Sequence, residues 1–231
     1  MNTNRSGAHF FCFNPFVTFL TGILEIVLAF FACIKYSKSS FGRIAAVALI
    51  LLSIFQFAEY TICAGGNSIL WNKAAYAASA FLPAIGIHLI AHALHHTRMT
   101  QIAYLLAAII AMSILIIPGA FTATYCTGRF VVFQLSDPLR IAFGGHYALF
   151  ILLGIIQLVQ AIINKMGDYE LNLWLLLGYL SFVIPTLIVY IIASSSRIAI
   201  PSIMCGFAVL LAIIIVGKVL PRYHTINHEL R

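Results

Sequence analysis

Apolar residues run along this chain in seven long stretches, each broken by a few polar or turn-forming positions. The runs lie at roughly 16–34, 44–63, 75–96, 101–121, 141–163, 173–193 and 200–220. Each is about as long as the 20 or so residues that cross about 30 Å of hydrocarbon as a helix. The pattern therefore predicts an all-α fold: a polytopic membrane bundle of seven transmembrane helices, in one transmembrane domain over residues 1–231. Most connections are short. The exception, "TATYCTGRFVVFQLSDPLR" (122–140), has a β-branched and aromatic centre, which predicts a small hairpin lying on the bundle.

Composition makes lipid the necessary solvent. Hydrophobic residues make up 62% of the 231, and charged residues only 8%. Soluble domains carry about 25% charged residues. No small-residue cleavage pattern follows the first apolar run, so it reads as a membrane helix serving as its own insertion signal. The net charge of +7 resides in short loops, which points to membrane orientation and excludes a nucleic-acid partner. On one side stand Lys35, Lys38, Arg43, Arg98, Lys165, Lys218, Arg222 and Arg231; on the other stand Arg5, Lys73, Arg129, Arg140 and Arg197. The richer side is expected in the cytoplasm. That leaves the N-terminus outside and the C-terminus inside, in a cell membrane, expected to be a bacterial inner membrane. The expected partners are the bilayer itself and a second copy or another membrane subunit. Internal breakers at Gly22, Pro83, Gly86, Gly154, Gly178, Pro185 and Gly206 suit close helix packing. They do not recur in matching positions of two halves, as a transporter with broken helices would require.

With this orientation Cys12, Cys63, Cys126 and Cys205 fall toward the outer, oxidising side, and Cys33 toward the inner. Four cysteines allow three pairings, among which sequence does not choose, and ordinary buried thiols are the competing reading. No C-x-x-C spacing exists, which excludes a zinc ribbon.

At "FCFNPFVTFLTG" (11–22), "FQFAEY" (55–60) and "SIMCGFAVLL" (202–211) the chain resembles a family of short seven-helix bacterial membrane proteins, classed only as a domain of unknown function. Members begin with a Cys-Phe-Ser-like motif, carry a Gln/Glu element late in helix two and a Cys early in helix seven. The matching positions are Cys12-Phe13, Gln56 with Glu59, and Cys205. Departures are Asn14 in place of Ser, eleven residues ahead of Cys12, and Tyr60 after the Glu in place of Gly. The resemblance implies seven helices and brings no reaction with it.

Depth along the helices brings these residues together. At 1.5 Å per residue, Glu59 lies about 6 Å and Cys205 about 8 Å below the outer surface, with His146 at similar depth. Gln56 and Glu59 share a helix face. The expectation is an outer pocket of Cys12, Gln56, Glu59, His146 and Cys205. It either brings helices together as a polar network or binds something; thiolate, imidazole and carboxylate also ligate zinc or copper.

"HLIAHALHH" (88–96) places His88, His92, His95 and His96 on one helical stripe, and His224 and His228 follow on the same side. His88 and His92, four apart, form a candidate site for one transition metal ion. The string looks like the histidine boxes of membrane di-iron hydroxylases and desaturases. Those spread eight or more histidines over three boxes, and His9 and His146 here fall on the opposite side. The plainer reading makes the shallow histidines interfacial and the deep ones hydrogen-bonded in the bundle. His88 and Glu25 lie near the midplane within about one turn of each other in depth, so they are expected to form an intramembrane polar pair, direct or through water.

Rhodopsin-like photoreception would need a midplane lysine in helix seven, but Lys218 lies at its end. A seven-helix metal hydrolase of ceramidase type would need histidines within that helix. No Gly-rich phosphate loop supports a nucleotide enzyme. Two readings remain. One is a non-enzymatic small-solute or proton transporter, sensor or accessory subunit. The other is a small intramembrane enzyme acting on a lipid or quinone through metal or thiol chemistry.

Overall fold

The computed structural model describes residues 15–94, 98–127, 131–192 and 200–229, with the side chains of Arg98 and of residues 227–229 left aside. Its elements are α1 (Pro15–Lys35), α2 (Ser40–Cys63), α3 (Ser68–Leu94), α4 (Arg98–Ile116), β1 (Phe121–Cys126), β2 (Val131–Leu135), α5 (Asp137–Ile163), α6 (Tyr169–Ile192), α7 (Ile200–Ile214) and α8 (Leu220–Glu229). A π-helical turn, Ile215–Val219, joins the last two. Seven of these helical spans are long and apolar enough to cross a membrane.

Local chemistry sets the helix ends. Ser39 caps α2 through its hydroxyl, and Gly42 behind it is forced: a Cβ there would lie 2.5 Å from the Tyr36 carbonyl oxygen. Asn67 Oδ1 accepts from the N–H groups of Ile69 and Leu70, and α3 starts at Ser68, seven residues before its apolar run. Helix α4 stops at Ile116, short of the expected 121, because Pro118 and Gly119 break it and Phe121 opens β1. Where the apolar run ends at Leu220, the helix continues through the π turn. That wider turn precedes Pro221, whose ring cannot close a regular ladder.

Helix α1 packs on α2 and α7, α2 on α3, and α3 on both α4 and α5, while α6 lies between α5 and α7. The outward faces carry Phe30, Ile34, Leu105, Ile163 and Ile192, all exposed. Lipid solvates such faces at no cost, whereas water would not. The hairpin pairs Phe121 with Leu135 and Cys126 with Val131 in antiparallel register. Its inner face is Val131, Phe133 and Leu135, all buried, with Phe133 set against Phe55 and Tyr76. A disulfide between Cys63 and Cys126, with Cα atoms 5.2 Å apart, ties β1 to the end of α2. This is one of the three pairings that the sequence left open.

The opposite end of the bundle is held by charge. Arg222 contacts both oxygens of Asp168, at 3.1 Å and 2.8 Å, and reaches Glu170 at 3.3 Å. Asp168 also accepts from the N–H of Leu171 at the start of α6. The Arg222 guanidinium beside Asp168 holds its carboxyl below the usual carboxylate range.

Candidate functional site

The site begins with a close helix approach. Where α1 passes α2, Gly22 faces Gln56, and a Cβ on Gly22 would lie 3.2 Å from the Gln56 Cβ. That closeness holds the Gln56 side chain inside the bundle, almost wholly buried. Its Nε2 donates to the Cys205 carbonyl of α7 at 2.9 Å, so one amide bridges α2 and α7 at the depth of Gly22. One turn outward on α2 is Glu59, also buried. Nearly one turn outward from Cys205 on α7 is Ser202, on the side of α7 toward Glu59. Ser202 Oγ donates its single proton to the Val131 carbonyl of β2, at 2.8 Å.

Inward on α1, three residues past Gly22, is Glu25. It is fully buried, and among the described residues neither of its carboxyl oxygens has a hydrogen-bond partner; nor has Oε1 of Glu59. No ion pair reaches either glutamate among the described residues. The Cys205 thiol, free and buried, belongs to the residue whose carbonyl accepts from Gln56. By helix rise, the two carboxyls differ in depth by about 9 Å. The arrangement is a polar column of Glu59, Gln56, Cys205 and Glu25 between α1, α2 and α7. A charged carboxylate without a partner at such depth costs about 2.5 kcal/mol or more.

Of the expected outer-pocket residues, Gln56, Glu59 and Cys205 come together, and Cys12 lies outside the described residues. His146 does not join them: its Nε2 donates to the Ala80 carbonyl of α3 at 3.0 Å, and its ring meets Phe150. Of the expected pair of Glu25 and His88, direct or through water, the direct contact is not made. His88 Nδ1 instead meets the Tyr104 hydroxyl of α4 at 3.0 Å, and Glu25 faces α2 and α7. The two share a depth but stand on different sides of α2. The metal expectation at His88 and His92 also fails to gather ligands. Their rings stack with centroids 5.1 Å apart, and no group of three metal-ligating side chains occurs among the described residues. His95 and His96 lie outside those residues.

Two features were missed by sequence reasoning. Ser202 is one; its three-residue offset from Cys205 was the available signal. The other is a cleft of about 950 Å³ between α5, α6 and α7 beneath the hairpin, reached by the Tyr76 and Tyr147 side chains and by Cys205. A smaller chamber of about 70 Å³ continues inward and shares Tyr147, Ile151, Met204 and Cys205 with it. Cys205 thus borders the acidic column on one side and the cleft on the other. No protein-family model matches the chain, and no curated protein matches it.

Proposed function

We propose that the chain is a proton-handling, non-enzymatic membrane protein, a transporter that moves protons across the membrane, its buried carboxyls serving the half of the path between the hairpin-side surface and the midplane. The observation that carries this reading is Glu25: a carboxyl at the heart of the bundle with neither a cationic side chain nor a hydrogen-bond donor paired to it among the described residues. Such a group is compensated by a proton or by a bound cation. No group of three His, Cys, Asp or Glu side chains gathers around Glu25 among the described residues, and a proton needs no such group.

Glu59 supports the same choice: it too is buried without an ion pair among the described residues, and the nearby Ser202 hydroxyl donates to the Val131 carbonyl. Cys63–Cys126 supports an orientation with the hairpin outside, in the oxidising compartment, in agreement with the basic-residue bias. The N-terminus is then outside and the C-terminus inside. Resemblance to the seven-helix family of unknown function fits this reading without adding a reaction.

Infrared spectroscopy of the protein in lipid tests it. The deuterium-sensitive carbonyl band of protonated carboxyls is expected to lose intensity in Glu25→Gln and again in Glu59→Gln. A band unchanged by both substitutions refutes the proposal.

A further inference from the structure

The cleft between α5, α6 and α7 has a chemistry of its own, separate from the acidic column, and the inference drawn from it does not rest on the proton reading. Along α5 its lining runs from Asp137 to Ile155. At 1.5 Å per residue that is about 27 Å, against about 15 Å for one leaflet of hydrocarbon. Below the mouth the walls are mainly apolar, with Phe143, Ile151, Leu152 and Leu187 among them. Gly144 and Ala148 are exposed and form part of the wall, and a Cβ built on Gly144 meets nothing within 4 Å. The cleft is therefore open sideways, where membrane lipid stands, and long enough for an acyl chain.

The mouth is where the polarity lies. Asp137 and Arg140 both border it, in an exposed ion pair of 2.9 Å at the first turn of α5. One carboxylate and one guanidinium, side by side at the height of the headgroups, complement a head that itself carries one charge of each sign. A guanidinium binds phosphate through two parallel hydrogen bonds, and the carboxylate beside it accepts from an ammonium. An anionic head would gain from Arg140 but be repelled by Asp137. A neutral prenyl quinone would accept from Arg140 through a carbonyl oxygen but offer nothing to Asp137.

We propose that this cleft is a specific binding site for one zwitterionic phospholipid with a primary amine, drawn from the leaflet on the hairpin side. Its phosphate sits on Arg140, its ammonium on Asp137, and an acyl chain lies along α5 toward Ile151.

Gly144 and Gly145 make the test clean. Both glycines have open space around a built Cβ, and only Gly144 borders the cleft. Full-length protein, stripped of lipid by detergent exchange, is titrated with phosphatidylethanolamine and, separately, with phosphatidylglycerol of the same chains. Thermal stability and native mass spectrometry are the readouts. The expected result is saturable binding of one phosphatidylethanolamine, tighter than phosphatidylglycerol by about tenfold. Gly144→Phe weakens it at least tenfold, and Gly145→Phe changes it less than twofold. Ala148→Trp, one turn deeper, repeats the block should Gly144→Phe fold poorly. Asp137→Asn with Arg140→Gln removes the preference between the two heads. Non-saturable binding, equal loss in Gly144→Phe and Gly145→Phe, preference for phosphatidylglycerol, or co-purification of a quinone in place of phospholipid would each overturn the assignment.

Discussion

Six acidic side chains serve this chain, and they divide into two kinds. Asp137, Asp168 and Glu170 stand at the ends of the bundle, each within 3.3 Å of an arginine nitrogen. Glu25 and Glu59 stand inside it with no arginine, lysine or histidine paired to them among the described residues, and Glu229 has a side chain outside those residues. An acid that only stabilises the fold is cheap at the interface, where water and arginine share its charge. Deep in the bundle the same group is a liability unless something else neutralises it. On the proposed reading the contrast separates the acids that hold helices together from those that take up a proton.

The largest expected stability effect concerns what keeps the hairpin end closed over Glu59. Cys63→Ser opens a loop of 63 residues and should cost up to about 4 kcal/mol. Reductant should shift the melting temperature of the wild type and leave that of the variant unchanged. Should the variant melt normally, the disulfide does not hold the hairpin and the lid over Glu59 is supported by packing alone.

The next effect has the opposite sign and bears on the comparison itself. Glu25→Gln and Glu59→Gln each remove a buried acid and keep its shape, so stability should stay level or rise, by up to about 2 kcal/mol. Denaturant titration in detergent measures this. A clear loss would mean that the column fastens the helices. Arg222→Gln should behave like the removal of an ordinary interfacial partner. It leaves Asp168 and Glu170 facing one another and should cost about 1 kcal/mol or less, since the group is partly exposed.

The smallest effect is a pH dependence. Because Arg222 lowers the folded-state affinity of Asp168 for a proton, the pair stabilises the protein above the ordinary carboxylate range, near pH 4. That contribution is lost as pH falls through the ordinary value and then the depressed one. Wild type should therefore lose slightly more stability on acidification than Asp168→Asn. Equal acid sensitivity would show that the ion pair contributes nothing.

Much of the fold could be read from the runs alone, because a bilayer requires about 20 apolar residues per crossing and few segments meet that by chance. Helix ends were harder. Ser68 to Lys73 looks like a loop in hydropathy but is helical, since polar residues at the headgroups continue a helix without penalty. Gln56, Glu59 and Cys205 could be matched by depth, which rise per residue gives directly. Which way a helix is turned, and which neighbour it faces, cannot be read from depth. That is why His88 was matched to Glu25 when its partner is Tyr104 on α4. Ser202 escaped notice for a related reason: a serine near a helix start looks like any other until the Val131 carbonyl stands beside it. The cleft is a gap between three helices, and one sequence carries no record of gaps.

The central claim is that the lone acids move protons and the paired ones do not. Proton flux into vesicles containing purified protein, driven by an imposed potential and read by a trapped pH dye, tests it most directly. The account predicts flux in the wild type, loss of at least tenfold in Glu25→Gln, and near-normal flux in Asp168→Asn. Flux unchanged by Glu25→Gln, or abolished equally by Asp168→Asn in a folded protein, would contradict it.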